Sequence, residues 1–165
     1  MKTTLNKIKA FEPCKDGWLK LLTFLNKKEA DDEELSLLDI FESNGLNHAI
    51  WALRAVDGFE KEKRLMACDF AESVVHLAKD ERSVNAIKVS RDYANGLATK
   101  EELNSAKYVA WAARAASSAA GSAGITDASD AAADAARSAS SAADWTAAGA
   151  AEREKQIAIF KKYVK

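Results

Sequence analysis

Residues 112–120 read AARAASSAA, and residues 135–143 repeat that stretch as AARSASSAA. Between Ala110 and Ala151, 21 of 42 residues are alanine. Alanine has the highest helix propensity, and small side chains allow helices to approach one another closely. Low-complexity disorder is the alternative interpretation, but the tract lacks proline and a high net charge. We therefore predict two close-packed antiparallel helices.

The borders of this tract support a helical hairpin. Thr99-Lys100-Glu101-Glu102 has the pattern of a capping box, in which threonine and glutamate satisfy amides at a helix start. Gly121-Ser122-Ala123-Gly124 is expected to separate the two helices. Burying alanine removes little apolar area, so larger side chains are needed as anchors. The candidates flank the tract: Tyr108, Val109, Trp111, Trp145, Ile157, Ile159 and Phe160.

The first 98 residues predict a series of shorter helices. Asn44-Gly45, Asp57-Gly58 and Asn95-Gly96 suit helix ends, because these residues tolerate the left-handed conformation. Apolar residues between them recur at helical spacing, namely Leu46, Ile50 and Leu53, and then Met66, Phe70, Val74 and Leu77. The predicted fold is all-α: a single domain over residues 1–165, with about seven to eight helices. Residues 1–98 form its short-helix half, and residues 99–165 form the alanine-rich hairpin.

Composition narrows the possible partners and the compartment. The chain has 24 Lys and Arg against 25 Asp and Glu, with a net charge of −1. This balance argues against direct nucleic-acid binding. No run reaches the roughly 20 apolar residues of a membrane span, and the start lacks a signal-peptide run. We expect a cytoplasmic protein with Cys14 and Cys68 reduced, a disulfide between them being a minor alternative. The oligomeric state stays open.

The residues that carry chemistry are few. Cys68, Glu72 and His76 follow one helix edge, but they span about 12 Å at 1.5 Å per residue, too far for one metal ion. Cys68 could pair with His48 or His76 as nucleophile and base, which would make the chain a helical enzyme. Nothing in the spacing requires that pair, and a free cysteine on a helix is usually buried. We expect no catalytic site, no metal and no cofactor.

Two features are candidate partner-binding sites. The first is an acidic segment, which is either solvated surface or a docking patch for a basic partner; its residues are Asp31, Asp32, Glu33, Glu34, Asp39 and Glu42. The second is the pair Trp51 and Arg54, spaced i, i+3, where the guanidinium can stack on the indole. Tryptophan and arginine are enriched in interface hot spots. Core packing of the tryptophan is the alternative.

Several stretches together resemble one known family. They are GWLKLL at 17–22, DDE at 31–33, ESNGL at 42–46, WALRAV at 51–56 and LMACDFAE at 65–72, followed by an alanine-rich tail. They resemble a family of immunity proteins linked to bacterial polymorphic toxin systems, with similar sequences among phage proteins. The resemblance covers residues 17–163. It implies an all-α fold and the binding of a toxin, and it supplies no catalytic residues.

The leading hypothesis is a non-enzymatic binding protein that neutralises a protein target, a toxin or a defence effector, by occluding it. The alternative is a phage anti-defence protein that inhibits a host immune effector or sequesters a nucleotide signal. Sequestering a nucleotide requires basic residues in a pocket, for which the candidates are Arg54, Arg64, Arg91 and Arg114.

Overall fold

A computed structural model of the chain describes residues 1–75, 81–111 and 149–165, with side chains for 1–75, 81–106 and 151–165. Within these ranges it contains eight α-helices and two short strands, which confirms the predicted all-α class. The elements, in chain order, are β1 (Lys2–Thr4), α1 (Leu5–Lys9), α2 (Lys15–Phe24), β2 (Glu34–Ser36), α3 (Leu37–Asn44), α4 (Leu46–Trp51), a 3₁₀ turn (Ala52–Ala55), α5 (Glu60–Val74), α6 (Glu81–Ala94), α7 (Lys100–Trp111) and α8 (Gly149–Val164).

The predicted alanine hairpin falls mostly on residues 112–148, which lie outside the described residues. Its two outer ends are described as α7 and α8. Of the predicted anchors with described side chains, Phe160 is fully buried, while Ile157 and Ile159 are partly buried. The close packing of the hairpin therefore stays a prediction.

The contacts group the chain into two compact units. The N-terminal unit comprises Met1–Phe59 with Val164–Lys165, and the second unit comprises Glu60–Tyr163. The boundary between the units thus follows Phe59, whereas the sequence predicted a change from short helices to the hairpin after residue 98. Helices α5 and α6 belong to the second unit because α5 packs against α6 and α6 packs against α7.

A two-stranded sheet in the N-terminal unit departs from the sequence prediction. β1 pairs antiparallel with β2, with Thr3 opposite Leu35. Both residues are buried, and the Thr3 hydroxyl donates a hydrogen bond to the carbonyl of Ala55. The two strands lie in the first 98 residues, where the sequence predicted only short helices. Each strand is only three residues long, so neither carries a periodic signal of its own.

Capping side chains fix where the flanking helices begin. The Thr4 hydroxyl accepts from the Lys7 amide at 3.2 Å, and α1 starts at Leu5. Ser36 and Asp39 form a capping box at the start of α3. The helices cover one apolar core, made of Leu5, Ile8, Leu21, Leu22, Leu35, Leu37, Ile40, Leu46, Ile50, Leu53 and Val56. The predicted stripe of Leu46, Ile50 and Leu53 is confirmed.

The second unit confirms two sequence predictions. Met66, Phe70 and Val74 form a buried stripe along α5, while Leu77 lies outside the described residues. The capping box of α7 is complete: the Thr99 amide donates to Glu102 Oε2 at 2.7 Å, and the Glu102 amide donates to the Thr99 hydroxyl at 3.2 Å.

A carboxylate on α5 also ties the second unit together. Asp69 accepts from Arg91 of α6 and from Lys162 and Tyr163 of α8, each at 2.8 Å. Burial alone would raise the pKa of Asp69, but these three donors outweigh it and hold the pKa below its ordinary value. The charged form of Asp69 therefore links three helices.

Candidate functional site

The N-terminal unit contains an open pocket of about 420 Å³ between α1, α2, α3 and α4. Its walls are mainly apolar, supplied by Ile8, Pro13, Trp18, Leu21, Ile40, Trp51 and Ala52. Polar groups of Glu12, Cys14, Asn44, Asn47 and His48 complete the lining. The volume lies within the roughly 300–1,000 Å³ typical of small-molecule sites. An apolar cavity with a few convergent polar groups is a candidate binding site.

Local backbone geometry brings the polar groups to this pocket. Cys14 has extended backbone angles (φ −60°, ψ 142°) and immediately precedes the first residue of α2. α3 ends at Asn44, and Gly45, with φ +83°, turns the chain into α4. That turn requires the positive φ that glycine adopts without strain. As a result His48 lies on the first turn of α4, facing Cys14.

Cys14 and His48 form a thiol–imidazole pair. The distance from Cys14 Sγ to His48 Nε2 is 3.7 Å, and His48 Nδ1 lies 3.1 Å from the carbonyl oxygen of Asn44. A carbonyl oxygen only accepts hydrogen bonds, so Nδ1 carries the proton in the neutral ring. Nε2 is then free of hydrogen and accepts from the Cys14 thiol. This is the arrangement in which a histidine acts as a base toward a thiol.

Close packing of α2 on α3 and α4 maintains the pair. Gly17 is buried, and a Cβ atom built there would lie 2.9 Å from His48 Nε2 and 3.0 Å from Cys14 Sγ. The Asn44 side-chain amide donates to the Gly17 carbonyl at 2.7 Å. Any side chain at residue 17 would therefore force the imidazole or the thiol to move.

The sequence had suggested a different cysteine for such a pair. Cys68 is fully buried, and its thiol donates to the Ile87 carbonyl at 3.8 Å. Burial raises the pKa of the Cys68 thiol. His76 lies outside the described residues. The pairing of Cys14 with His48 joins residues 34 apart, so no local spacing could have indicated it.

Trp51 and Arg54 lie together as the sequence predicted. The Arg54 guanidinium lies 4.9 Å from the centre of the Trp51 ring, and Arg54 Nε donates to the Trp51 carbonyl at 3.1 Å. Trp51 is half-buried and lines the pocket. Its ring therefore serves both as a wall of the pocket and as a platform for the cation. Their role in binding a partner stays a prediction.

The acidic segment is partly neutralised within the chain. Lys27 forms ion pairs with Asp31 at 2.6 Å and with Glu33 at 2.7 Å, and Lys2 forms an ion pair with Glu34 at 2.6 Å. The hydrogen bond from Lys27 lowers the pKa of Asp31, and that from Lys2 lowers the pKa of Glu34. These exposed pairs contribute little to stability. They do reduce the charge that a basic partner would meet.

The three other carboxylates of the predicted patch take no part in these ion pairs with Lys27 and Lys2. Asp39 accepts from the Ser36 amide at 3.1 Å and so serves as a helix cap. Asp32 and Glu42 are exposed. The predicted docking charge thus reduces mainly to these two carboxylates.

The arginines considered for a nucleotide are engaged by neighbouring side chains. Arg91 binds Asp69 and Glu72, each at 2.8 Å. Arg64 is buried beneath the ring of Tyr93, 5.9 Å from its centre. Arg54 stacks on Trp51, and Arg114 lies outside the described residues.

Within the described part of the chain, no group of three or more His, Cys, Asp and Glu side chains is placed to hold a metal ion. The same part contains no helix with the length and apolar character needed to cross a membrane. Comparison of the chain with protein-family models, curated proteins and solved structures finds no match.

Proposed function

We propose that the chain is a non-enzymatic binding protein that neutralises a protein toxin by occluding it, with the pocket of the N-terminal unit as the contact surface. The observation that carries the proposal is the Trp51–Arg54 stack at the wall of an apolar pocket. Interface hot spots are enriched in tryptophan and arginine and cluster in well-packed, desolvated pockets. The resemblance to toxin immunity proteins supports the same function.

Charge around the pocket indicates the chemistry of the anchor. Glu12 is the one charged side chain in the pocket lining, and Glu42 and Asp32 are exposed elsewhere on the same unit. An apolar side chain next to a lysine or arginine would fill the cavity, and its cationic neighbour would pair with Glu12. Such pairs raise the association rate and the specificity more than the affinity. Two free thiols suit action in the reducing cytoplasm.

The experiment co-expresses the chain with protein toxins of bacterial polymorphic toxin systems, the class that the resemblance implies, and measures growth arrest with and without the chain. Purified components are then titrated against each other by calorimetry. We expect neutralisation at a molar ratio of 1:1 and a measurable Kd. Neutralisation by far less than one equivalent would contradict occlusion, because only an enzyme turns over. Growth arrest that is unaffected by the chain would contradict the proposal altogether.

Two variants test whether the pocket is the surface that binds the toxin. Trp51→Ala should weaken binding roughly 30-fold, the loss of about 2 kcal/mol expected at a hot spot. Phe24→Ala is the matched control, since Phe24 is a 50% exposed aromatic residue of the same unit and is not part of the pocket lining. Equal binding by both variants, each with a wild-type melting temperature, would place the surface elsewhere.

A further inference from the structure

The proposed occlusion of a toxin makes no use of the Cys14 thiol. Its thiol lies at the wall of an apolar pocket, 3.7 Å from His48 Nε2, to which it donates a hydrogen bond. We infer that Cys14 is a covalent acylation site, which takes an acyl group from a thioester while the acyl chain occupies the pocket. The inference goes beyond the proposed function: it concerns the same pocket, but its test uses the isolated chain without a toxin.

The chemistry is a thioester exchange. His48 Nε2 removes the proton from the Cys14 thiol, and the resulting thiolate attacks the carbonyl carbon of the donor thioester. The new carbon–sulfur bond forms as the bond to the leaving thiol breaks. The leaving thiolate takes the proton from His48. Neither oxidation nor reduction occurs, and the products are an acylated Cys14 and a free thiol.

The hydrogen-bond network keeps His48 in the form that this step requires. The Asn44 carbonyl holds the proton on Nδ1, so Nε2 faces the thiol as an acceptor. When Nε2 takes the proton, the same carbonyl continues to accept from Nδ1 of the cationic ring. Gly17 leaves room for the ring to remain in place against α2. General-base assistance of this kind contributes roughly 10²–10⁴-fold to a rate.

The lining of the pocket selects an acyl chain over other thiol-reactive groups. Ile8, Leu21 and Ile40 supply apolar walls next to Cys14. A glutathione disulfide would instead bring polar peptide groups to these apolar walls. An apolar chain gains free energy by leaving water at this surface, whereas polar peptide groups would lose hydrogen bonds to water there.

The test measures S-acylation of the purified full-length chain by octanoyl-CoA, using intact mass spectrometry. Hydroxylamine sensitivity identifies the product as a thioester. A peptide of residues 9–20 reports the reactivity of the Cys14 thiol outside the fold. We expect the chain to react at least tenfold faster than the peptide. Octanoyl-CoA should exceed acetyl-CoA at least tenfold on the chain, after correction for the peptide.

Three variants test which residues take part in the acylation. Cys14→Ser should abolish the reaction, and Cys68→Ala should leave it unchanged. His48→Gln should lower the rate at least tenfold while Cys14 is still present. A wild-type rate for a folded His48→Gln variant would overturn the role of the imidazole. If that variant fails to fold, the comparison of the wild-type chain with the peptide still decides the inference.

Three results would overturn the acylation site itself. The first is a reaction of the chain no faster than that of the peptide. The second is equal corrected rates with acetyl-CoA and octanoyl-CoA, which would mean that the pocket does not hold the acyl chain. The third is faster formation of a mixed disulfide with oxidised glutathione than of the octanoyl thioester at equal concentrations.

Discussion

Gly17 leaves the space that the imidazole of His48 fills. A Cβ atom on residue 17 would lie 2.9 Å from both Cδ2 and Nε2 of His48, closer than side-chain carbons approach in folded proteins. Gly17 belongs to α2, where any other residue except proline would have a better intrinsic helix propensity. The glycine is therefore explained by the contact between helices and not by the helix that contains it.

We predict that Gly17→Ala destabilises the chain despite the gain in helix propensity. Alanine should contribute about 1 kcal/mol through propensity, while forced repacking of the His48 ring costs about 1–3 kcal/mol. Urea unfolding, followed by circular dichroism, measures the difference. In a His48→Ala background the clash with the ring is gone and only the 3.0 Å approach to Cys14 Sγ remains, so Gly17→Ala should cost less than in the wild-type chain or become stabilising. A stabilising effect in both backgrounds would show that the ring adapts without cost.

The two thiols should differ in reactivity. Cys14 is exposed, whereas Cys68 is fully buried and has its pKa raised by that burial. Because the thiolate is the reactive form, an aromatic disulfide reagent should modify one thiol rapidly in the native chain and two in denaturant. Cys14→Ser should lose the rapid phase, and Cys68→Ala should keep it. Rapid modification of Cys68 would mean that the second unit opens readily.

Asp69 should contribute more to stability than an exposed carboxylate does. Asp69→Asn weakens hydrogen bonds from three charged or polar donors, and we expect a loss of at least about 2 kcal/mol in the free energy of unfolding. Asp92→Asn is the control, because Asp92 forms a 2.9 Å pair with the exposed Lys88 on the same helix. Its loss should stay near 0.3–0.5 kcal/mol, roughly the value of such pairs. Equal losses would refute the linking role of Asp69.

The same carboxylate predicts a dependence on pH. The pKa of Asp69 is lower in the folded chain than in the unfolded chain, where it lies near 4, so the folded state binds fewer protons between those values. Its stabilising contribution is complete above the unfolded pKa and declines as pH falls through the folded pKa. The difference in unfolding free energy between wild type and Asp69→Asn should therefore shrink below about pH 4. A difference that is constant from pH 7 to pH 3 would contradict this linkage.

The capping box of α7 gives a prediction with an internal control. Thr99→Ala removes the acceptor for the Glu102 amide and should cost about 1 kcal/mol, whereas Thr99→Ser should retain most of the stability. Ser105→Ala, at an exposed position of the same helix, should be neutral or slightly stabilising because alanine favours helix. Chemical denaturation of the three variants checks the order. Thr99→Ala as stable as wild type would mean that α7 frays at its start.

Features that depend on residues close together in sequence were predictable. The capping box at Thr99 and the buried stripe of Met66, Phe70 and Val74 follow from spacings of three and four residues. Helix ends at Asn44-Gly45 and Asn95-Gly96 follow from the positive φ that glycine adopts. Each of these rules involves a single helix, so a single stretch of sequence carries the full signal.

Most of the candidate site could not be predicted from rules that involve a single helix. Trp51 and Arg54, three residues apart, were identified as a pair before the structure showed them stacked. Cys14 was overlooked as a partner of His48, because the two lie on different elements and meet only when α2 packs against α4. The charges of Asp31, Glu33 and Glu34 looked free in the sequence, yet Lys27 and Lys2 bind them in the fold.

The sequence by itself determined that this chain is helical, where most described helices begin and end, and which faces are apolar. Only the tertiary structure decided that Thr3 pairs with Leu35, that Gly17 admits the His48 ring and that a thiol meets an imidazole in an apolar pocket. The physical reason is the distance along the chain over which each interaction acts. Propensity and capping act within one helical turn, whereas these contacts require a loop to close and a core to pack, whose free energies belong to the whole unit.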